Sequence, residues 1–380
     1  MNIGILAFRQ YPYISPNTSI AYIIGEELQR RGYSITYIGR RQDASQDGVE
    51  EYRGSPIRFL NQRIPATPGR IQNKFFQFAG DRVRVSKDSK SLLQITQQAD
   101  LDALICMTAP NDDALIMYFA NLQIPVILCQ LDPFYNLGDQ ENLKLKTQFL
   151  RILSKVQHLF TTDLLYRSYE ADSEFKTLLS KISVLQFPKL IRREYCMPSH
   201  GSGIRLLYAG SFYHLIRSSM ILVDLKNNLP ENCELVFCGR CDHPQDEELL
   251  REAGVVCKGH CNQGQLEREI ADADFLINIG NLVKNQLASK LIDYIATGKP
   301  ILNITQFDAC PTVSVLRRYP LHLNVSSKTL AEKAGSTTIK NFLDEAEGKR
   351  VKWEQLAYDY CEYTPSFAAN EIEKALQHRS

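Results

Sequence analysis

At 380 residues the chain is too long for one ordinary doubly wound domain and comfortable for two. Hydrophobic residues make up 44% and charged residues 23%, the balance of a folded protein with real cores. The formal net charge of +1 excludes a partner, such as nucleic acid, held by the field of the whole surface.

Met1–Leu6 enters a strand-like run at once, with no basic segment or cleavage site before it, so no secretory signal is expected. No apolar stretch approaches the roughly 20 residues that span a bilayer. A cytoplasmic protein is expected, with room for peripheral contact at the inner membrane face. Most of the 10 cysteines sit inside apolar runs, as in Leu104-Ile105-Cys106-Met107, and read as buried free thiols of a reducing compartment.

Along the chain, strands alternate with helices twice over. Asn2–Phe8 is the first strand. Residues 19–31 carry Ile20, Ile23, Ile24 and Leu28 at helical spacing, with Gly32 behind as a stop. Further strands are expected at Ser34–Ile38, Ile57–Leu60, Ala103–Met107, Pro125–Cys129, Gln157–Thr161 and Ile182–Gln186, with a helix over 141–155. Residues 192–203, with Pro198, Gly201 and Gly203, read as a linker.

The alternation then restarts. Strands are expected at Ile204–Ala209, Glu234–Cys238, Val255–Cys257, Asp274–Ile279 and Pro300–Ile304, and helices at 217–228, 245–252, 264–271 and 288–297. A last helix spans 365–378. The fold class is α/β, with two doubly wound, Rossmann-like domains facing a cleft: 1–191, then the linker, then 204–364. Residues 365–380 are expected to pack back on the first domain. Open parallel sheets of this kind bind ligands at the carboxyl ends of their strands.

One segment carries the chemistry. Lys284–Ala288 is a polar loop after a strand, and Ser289 reads as the N-cap of the helix that follows. A helix N-terminus at a sheet's carboxyl edge suits an anion. Ser289 adds a hydroxyl donor and Lys290 a charge, while Asp293, one turn on, can accept from ribose hydroxyls. Phosphate at the tip and ribose beside it describe a nucleoside diphosphate site. An amphipathic helix with a solvated start has the same pattern.

The run Ser289-Lys290-Leu291-Ile292-Asp293-Tyr294-Ile295-Ala296-Thr297-Gly298-Lys299-Pro300-Ile301 resembles the donor-site helix of GT-B glycosyltransferases, particularly the family-4-like enzymes of bacterial polysaccharide assembly. Leu206–Tyr213 with Ile216-Arg217, Glu234–Gly239, Val255–His260 and Ala271–Asn278 resemble other blocks of the same domain in the same order. The resemblance covers roughly 203–304 well and the first half weakly. It implies transfer of a sugar from a nucleotide-diphosphate sugar to a glycan or lipid-linked acceptor, with retention at the anomeric carbon.

By that resemblance, Gly210, Ser211, Asn285, Ser289, Lys290, Leu291 and Asp293 hold the donor, and Arg217 with Lys290 stabilises the departing diphosphate. The donor is a substrate and no cofactor is implied. Cationic side chains and the helix dipole take the part of a metal, so no metal is expected. The chain departs from the family at Asn285, where a carboxylate is usual eight residues before Asp293. An epimerase on the same fold, or a degenerate domain that binds sugar nucleotide without reacting it, are the rival readings.

In the first half, the loop Arg9–Ser19 lacks glycine and ends in Asn17-Thr18-Ser19, read as sugar or anion contacts or simply as a helix cap. Two loops leave strand ends, Thr108–Asp113 and Gln130–Tyr135. Asp132 in the second is the candidate acceptor-side carboxylate, against the alternative of an Asp-Pro turn. Residues 61–90 set seven basic residues against Asp81 and Asp88, with Phe75, Phe76 and Phe78 between them. They read as a solvated helix with an aromatic face or as a contact with an anionic membrane. Finally, Cys238, Cys241, Cys257 and Cys261 have zinc-ligand spacing, with His243 and His260 nearby. Zinc and ordinary strand-end thiols both stay open as readings.

Overall fold

The computed structural model describes residues 1–9, 15–40, 50–60, 88–108, 122–133, 136–137, 140–193, 203–213 and 216–377. The chain divides into two compact units, Met1–Lys189 with Glu362–Ser380, and Leu190–Cys361.

The first unit is built on an eight-stranded sheet: β1 (Asn2–Arg9), β2 (Ser34–Arg40), β3 (Glu51–Tyr52), β4 (Ser55–Leu60), β5 (Ala103–Thr108), β6 (Val126–Gln130), β9 (His158–Thr161) and β10 (Ile182–Val184). Their order is β10-β9-β6-β5-β1-β2-β4-β3, and only β3 runs antiparallel to its neighbour. β7 (Asn136–Leu137) and β8 (Gln140–Glu141) form a separate small hairpin. The central strands are apolar because both faces are covered. Ile3, Ile5, Leu104, Ile105, Ile127 and Leu128 are all fully buried.

The first helix, Pro16–Arg30, begins earlier than its apolar spacing suggests. Ser15 is the cap, accepting from the Thr18 amide, and Pro16 opens the helix. Thr18 lies inside the first turn, buried, its hydroxyl 2.8 Å from that of Ser15. The expectation of a cap at Thr18 or Ser19 is corrected accordingly. The closing helix, Pro365–Gln377, belongs to this unit. Arg31 fastens it through Asn370, Glu373 and the Ser366 carbonyl.

The second unit has six parallel strands: β11 (Ile204–Ala209), β12 (Cys233–Cys238), β13 (Val256–Gly259), β14 (Phe275–Ile279), β15 (Ile301–Thr305) and β16 (His322–Ser326). Their order is β13-β12-β11-β14-β15-β16. That is the 3-2-1-4-5-6 winding of dinucleotide-binding sheets. Leu206, Leu235, Phe237, Phe275, Ile277 and Leu302 form the heart of one core face. β16 was not expected from the sequence. Asn324 on it is exposed, and it ends a ladder of side-chain amides running Asn278 to Asn303 to Asn324, each step 2.7 Å.

Among the described residues no helix is long and apolar enough to cross a membrane. Of the basic segment 61–90, residues 61–87 lie outside the described residues. Asp88 is no surface charge: it is fully buried against Arg40, with Nε 2.8 Å from its Oδ2.

Candidate functional site

In the second unit the strand order reverses between β11 and β14. The chain leaves them in opposite directions, which opens a crevice at their carboxyl ends. Gly210 and Ser211 leave β11 there, and Gly280 and Asn281 leave β14.

Arg217 stands over this point, half-buried on the loop after β11. Its Nε donates to Asn281 Oδ1 at 2.8 Å and its Nη1 to the Tyr208 hydroxyl at 3.0 Å. Both acceptors are neutral. Among the described residues no carboxylate pairs with this guanidinium. Tyr208 is buried, which raises its pKa, while Arg217 beside it pulls the other way. The phenol is therefore neutral at physiological pH. A half-buried cation fixed in direction and left uncompensated is a receptor for an anion.

The surrounding loops are fastened to one another. Asn281 Nδ2 donates to Gln286 Oε1 at 3.1 Å, which fixes which end of the amide faces Arg217. The Leu282 amide donates to the Ile216 carbonyl at 3.0 Å, and the Gln306 amide side chain donates to Ile216 and Gly280 carbonyls. Tyr294 closes the exit of β11. Its hydroxyl accepts from the Ala209 amide at 2.9 Å and donates to the Ala209 carbonyl at 3.1 Å. Gly239, at the exit of β12, lies so close to Gly210 that a Cβ there would sit 1.8 Å from the Gly210 carbonyl oxygen. A Cβ on Gly210 would meet the Tyr208 hydroxyl and the Arg217 Nη1 at 2.8 and 3.3 Å.

No family model matches the chain, and no curated protein matches it in sequence. Solved structures match its fold over nearly the whole length. A glycosyltransferase from Rickettsia africae aligns with a TM-score of 0.69 at 12% identity, covering 100% of this chain and 99% of the other. HepE from Anabaena, in complex with UDP and glucose, aligns at 0.67 with 11% identity and 99% of both chains. Sucrose-phosphate synthase from Thermosynechococcus elongatus aligns at 0.66 with 12% identity, 98% of this chain and 97% of that one. The fold is that of the GT-B glycosyltransferases. The epimerase reading finds no support among these neighbours.

Within this GT-B fold the residues singled out from sequence fall into three groups. Gly210, Ser211, Arg217, Ser289 and Lys290 lie on loops and a helix start at the carboxyl edge of the sheet. The Ser211 and Ser289 hydroxyls make no hydrogen bond among the described residues. Asn285 sits half-buried on the loop after β14.

A second group behaves differently from expectation. The helix is short, Lys290–Ile295, and Ser289 stands at its N-cap position as expected, but with helical φ and ψ and no side-chain capping bond. The Leu291 and Ile292 amides are spent on the Ala288 and Ser289 carbonyls. The Leu291 side chain is fully buried in the core, so Leu291 offers neither its side chain nor its amide to a ligand. Asp293 meets Arg193, whose Nη2 lies 3.8 Å from Oδ1 while its Nη1 lies 3.6 Å from Glu267. Arg193, from the expected linker, escaped the sequence reading, as did Tyr208, Asn281 and Gln306. An arginine near a boundary and polar residues in loops carry no spacing signal.

The third group lies in the first unit. Asp132 lies two residues past the end of β6. Its carbonyl accepts from Gln130 Nε2 at 3.1 Å, and Gln130 Oε1 accepts from the buried Tyr169 hydroxyl at 2.8 Å. Residues 10–14, 109–113 and 134–135 of the other loops lie outside the described residues.

The chain holds two Asp-x-Asp sequences, the metal-bridging signature of other glycosyltransferases: Asp100-Leu101-Asp102 and Asp272-Ala273-Asp274. Both precede a strand, each at the amino edge of its own sheet. Asp102 Oδ2 accepts from the Asn2 amide at 2.7 Å, and Asp274 Oδ2 from the Arg205 amide at 2.8 Å. They are structural caps.

The four spaced thiols at the ends of β12 and β13 do not converge as one ligand set. Cys261 Sγ donates to the Gly259 carbonyl at 3.8 Å, and Cys257 Sγ to the Val255 carbonyl at 3.7 Å. Among the described residues no group of three or more ligand-type side chains comes together. Burial first, then Asp246 and Glu247, pushes the Cys241 thiol up to about 12, so it stays protonated.

Proposed function

We propose that the chain is a glycosyltransferase that moves a sugar from a nucleotide-diphosphate sugar to a glycan or lipid-linked acceptor. The observation that supports this most is Arg217: a fixed, uncompensated guanidinium at the switch point of a GT-B sheet. The HepE neighbour, solved with UDP and glucose, agrees with such a ligand.

In this reading Arg217 and Lys290 take the diphosphate, with Gly210 allowing close backbone approach and the Ser211 and Ser289 hydroxyls donating to phosphate oxygens. As the sugar–phosphate bond breaks, negative charge grows on the leaving group. A cation already aimed at that position stabilises the transition state without reorganisation. Asp293 accepts from the ribose hydroxyls, Asn285 bonds a sugar hydroxyl, and Asp132 serves the acceptor. The reaction proceeds with retention and without a metal, the cations taking that part.

The test is a panel of UDP-, ADP- and GDP-sugars followed by thermal shift, then release of nucleoside diphosphate with candidate acceptors. A stabilising donor whose turnover is lost in Arg217→Ala supports the reading. No stabilisation by any of them sinks it. Turnover that needs an added divalent ion would remove the metal-free part alone.

A further inference from the structure

The pair of neutral acceptors around Arg217 is unusual in one respect. A half-buried guanidinium is most simply held by a carboxylate, which supplies both geometry and charge balance. Here the geometry is supplied by Asn281 Oδ1 and the Tyr208 hydroxyl, and the charge is left over. The orientation of Asn281 is enforced, because its Nδ2 donates to Gln286 Oε1 and so turns Oδ1 toward Arg217. Tyr208 is enforced too, being buried and packed against Phe212 and Phe237.

We propose that Asn281 and Tyr208 are positioning residues whose neutrality keeps Arg217 an anion receptor, with Gln286 setting the direction of the Asn281 amide. This rests on the reading of Arg217 as the diphosphate contact. It goes further by assigning the tuning of that contact to side chains that touch no substrate. Asn281 hands Arg217 a hydrogen bond without cancelling its charge. A carboxylate at 281 keeps the bond and cancels the charge.

A purely structural role and a tuning role therefore part company at one substitution. UDP, ADP, GDP and inorganic pyrophosphate are titrated calorimetrically into the full chain, at low and at moderate salt, alongside thermal midpoints. Asn281→Asp is expected to keep the midpoint at or above that of the native chain. It should weaken the best-bound anion by roughly tenfold or more and flatten its salt dependence. Tyr208→Phe loses one anchor and keeps the charge, so its affinity should fall by only about two- to fivefold, with the salt dependence intact.

Unchanged affinity in Asn281→Asp overturns the proposal. So does a midpoint and affinity that fall together, as is expected of Asn281→Ala, since that is the signature of a fold defect. Should Arg217→Ala abolish binding while Asn281→Asp does not, the tuning fails and the diphosphate reading stands. If the native chain binds none of the four, both fail.

Discussion

The two units are alike at one edge of their sheets and differ at the other. At the amino edge each repeats the same clasp. Asp102 donates its amide to the Asn2 carbonyl and accepts the Asn2 amide on its carboxylate, and Asp274 does the same with Arg205. At the carboxyl edge each uses a buried tyrosine and a side-chain amide, but to different ends. In the second unit Tyr208 and Asn281 grip the charged head of Arg217 itself. In the first unit Tyr169 holds Gln130, and Gln130 holds only the main-chain carbonyl of Asp132. One arrangement aims a charge; the other sets a backbone. The shared edge is about folding, and the divergent edge is where the proposed chemistry would lie.

The largest expected effect breaks the comparison at its centre. Arg217→Ala should lower transfer by about 100- to 1,000-fold at saturating donor, as for loss of one donor to a developing anion. It should also weaken binding of the nucleoside diphosphate. Asp132→Asn should slow transfer with nucleotide affinity unchanged to within about twofold, because the proposed function gives it a part with the acceptor. Steady-state kinetics with calorimetry separates the two, and equal loss of nucleotide affinity in both variants would dissolve the assignment.

Next comes a pair of glycines. Gly239→Ala drives a Cβ into the backbone of Gly210, which cannot give way without moving the exit of β11. A cost of about 3 kcal/mol or more is expected in urea unfolding. Gly4→Ala on β1 meets methyl ends of Leu101 and Leu104 at 2.7 and 2.9 Å, which can shift. Its cost should be closer to 1–2 kcal/mol. A larger loss at Gly4 would show that the first unit, and not the crevice, is the tighter structure.

A smaller effect follows from Tyr169→Phe. The Gln130 acceptor would be left buried and unpaired, at a cost of about 1–3 kcal/mol. Acceptor turnover should change less than in Asp132→Asn, since only backbone position is disturbed. A loss of turnover matching Asp132→Asn would mean that Gln130 and Tyr169 aim the carboxylate after all.

How much of this was legible before the structure follows from what each signal measures. Apolar runs bounded by turns located β1, β5, β6, β11 and β14 to within a residue or two, because buried parallel strands must be apolar on both faces. β16 was missed because it is only partly buried and carries Asn324 where an apolar residue was looked for. The helix at 290 was visible, but its tight start was not. Leu291 looked like a site residue by its place in a string, while burial assigns it to the core. Arg217 could be nominated from its loop. Its two neutral anchors could not, since Tyr208 is nine residues away and Asn281 sixty-four, and only the reversal of strand order brings them together.

The Gly298-Lys299-Pro300 run shows how a string that looks functional can be structural. Gly298 has φ +69°, and a Cβ on it would lie 2.4 Å from the Val351 carbonyl oxygen. Lys299 is buried and donates Nζ to the Ile270, Ala271 and Ala273 carbonyls at the end of the helix Gln263–Asp272. Burial, and then Arg350, pull its pKa down from 10.5 to about 7, with Asp274 and Asp272 opposing. Between those values the unfolded chain binds the proton and the folded chain does not. Stability should therefore rise with pH across that window and lie flat below it. In Lys299→Met that rise should vanish while lower stability persists at every pH, because three carbonyls lose their donor. Chemical unfolding at pH 6.5, 8 and 9.5 reads the slope directly. A rise that survives in the variant would assign it to another group, and a native chain with no rise would mean that the three carbonyls hold the ammonium charged in spite of burial.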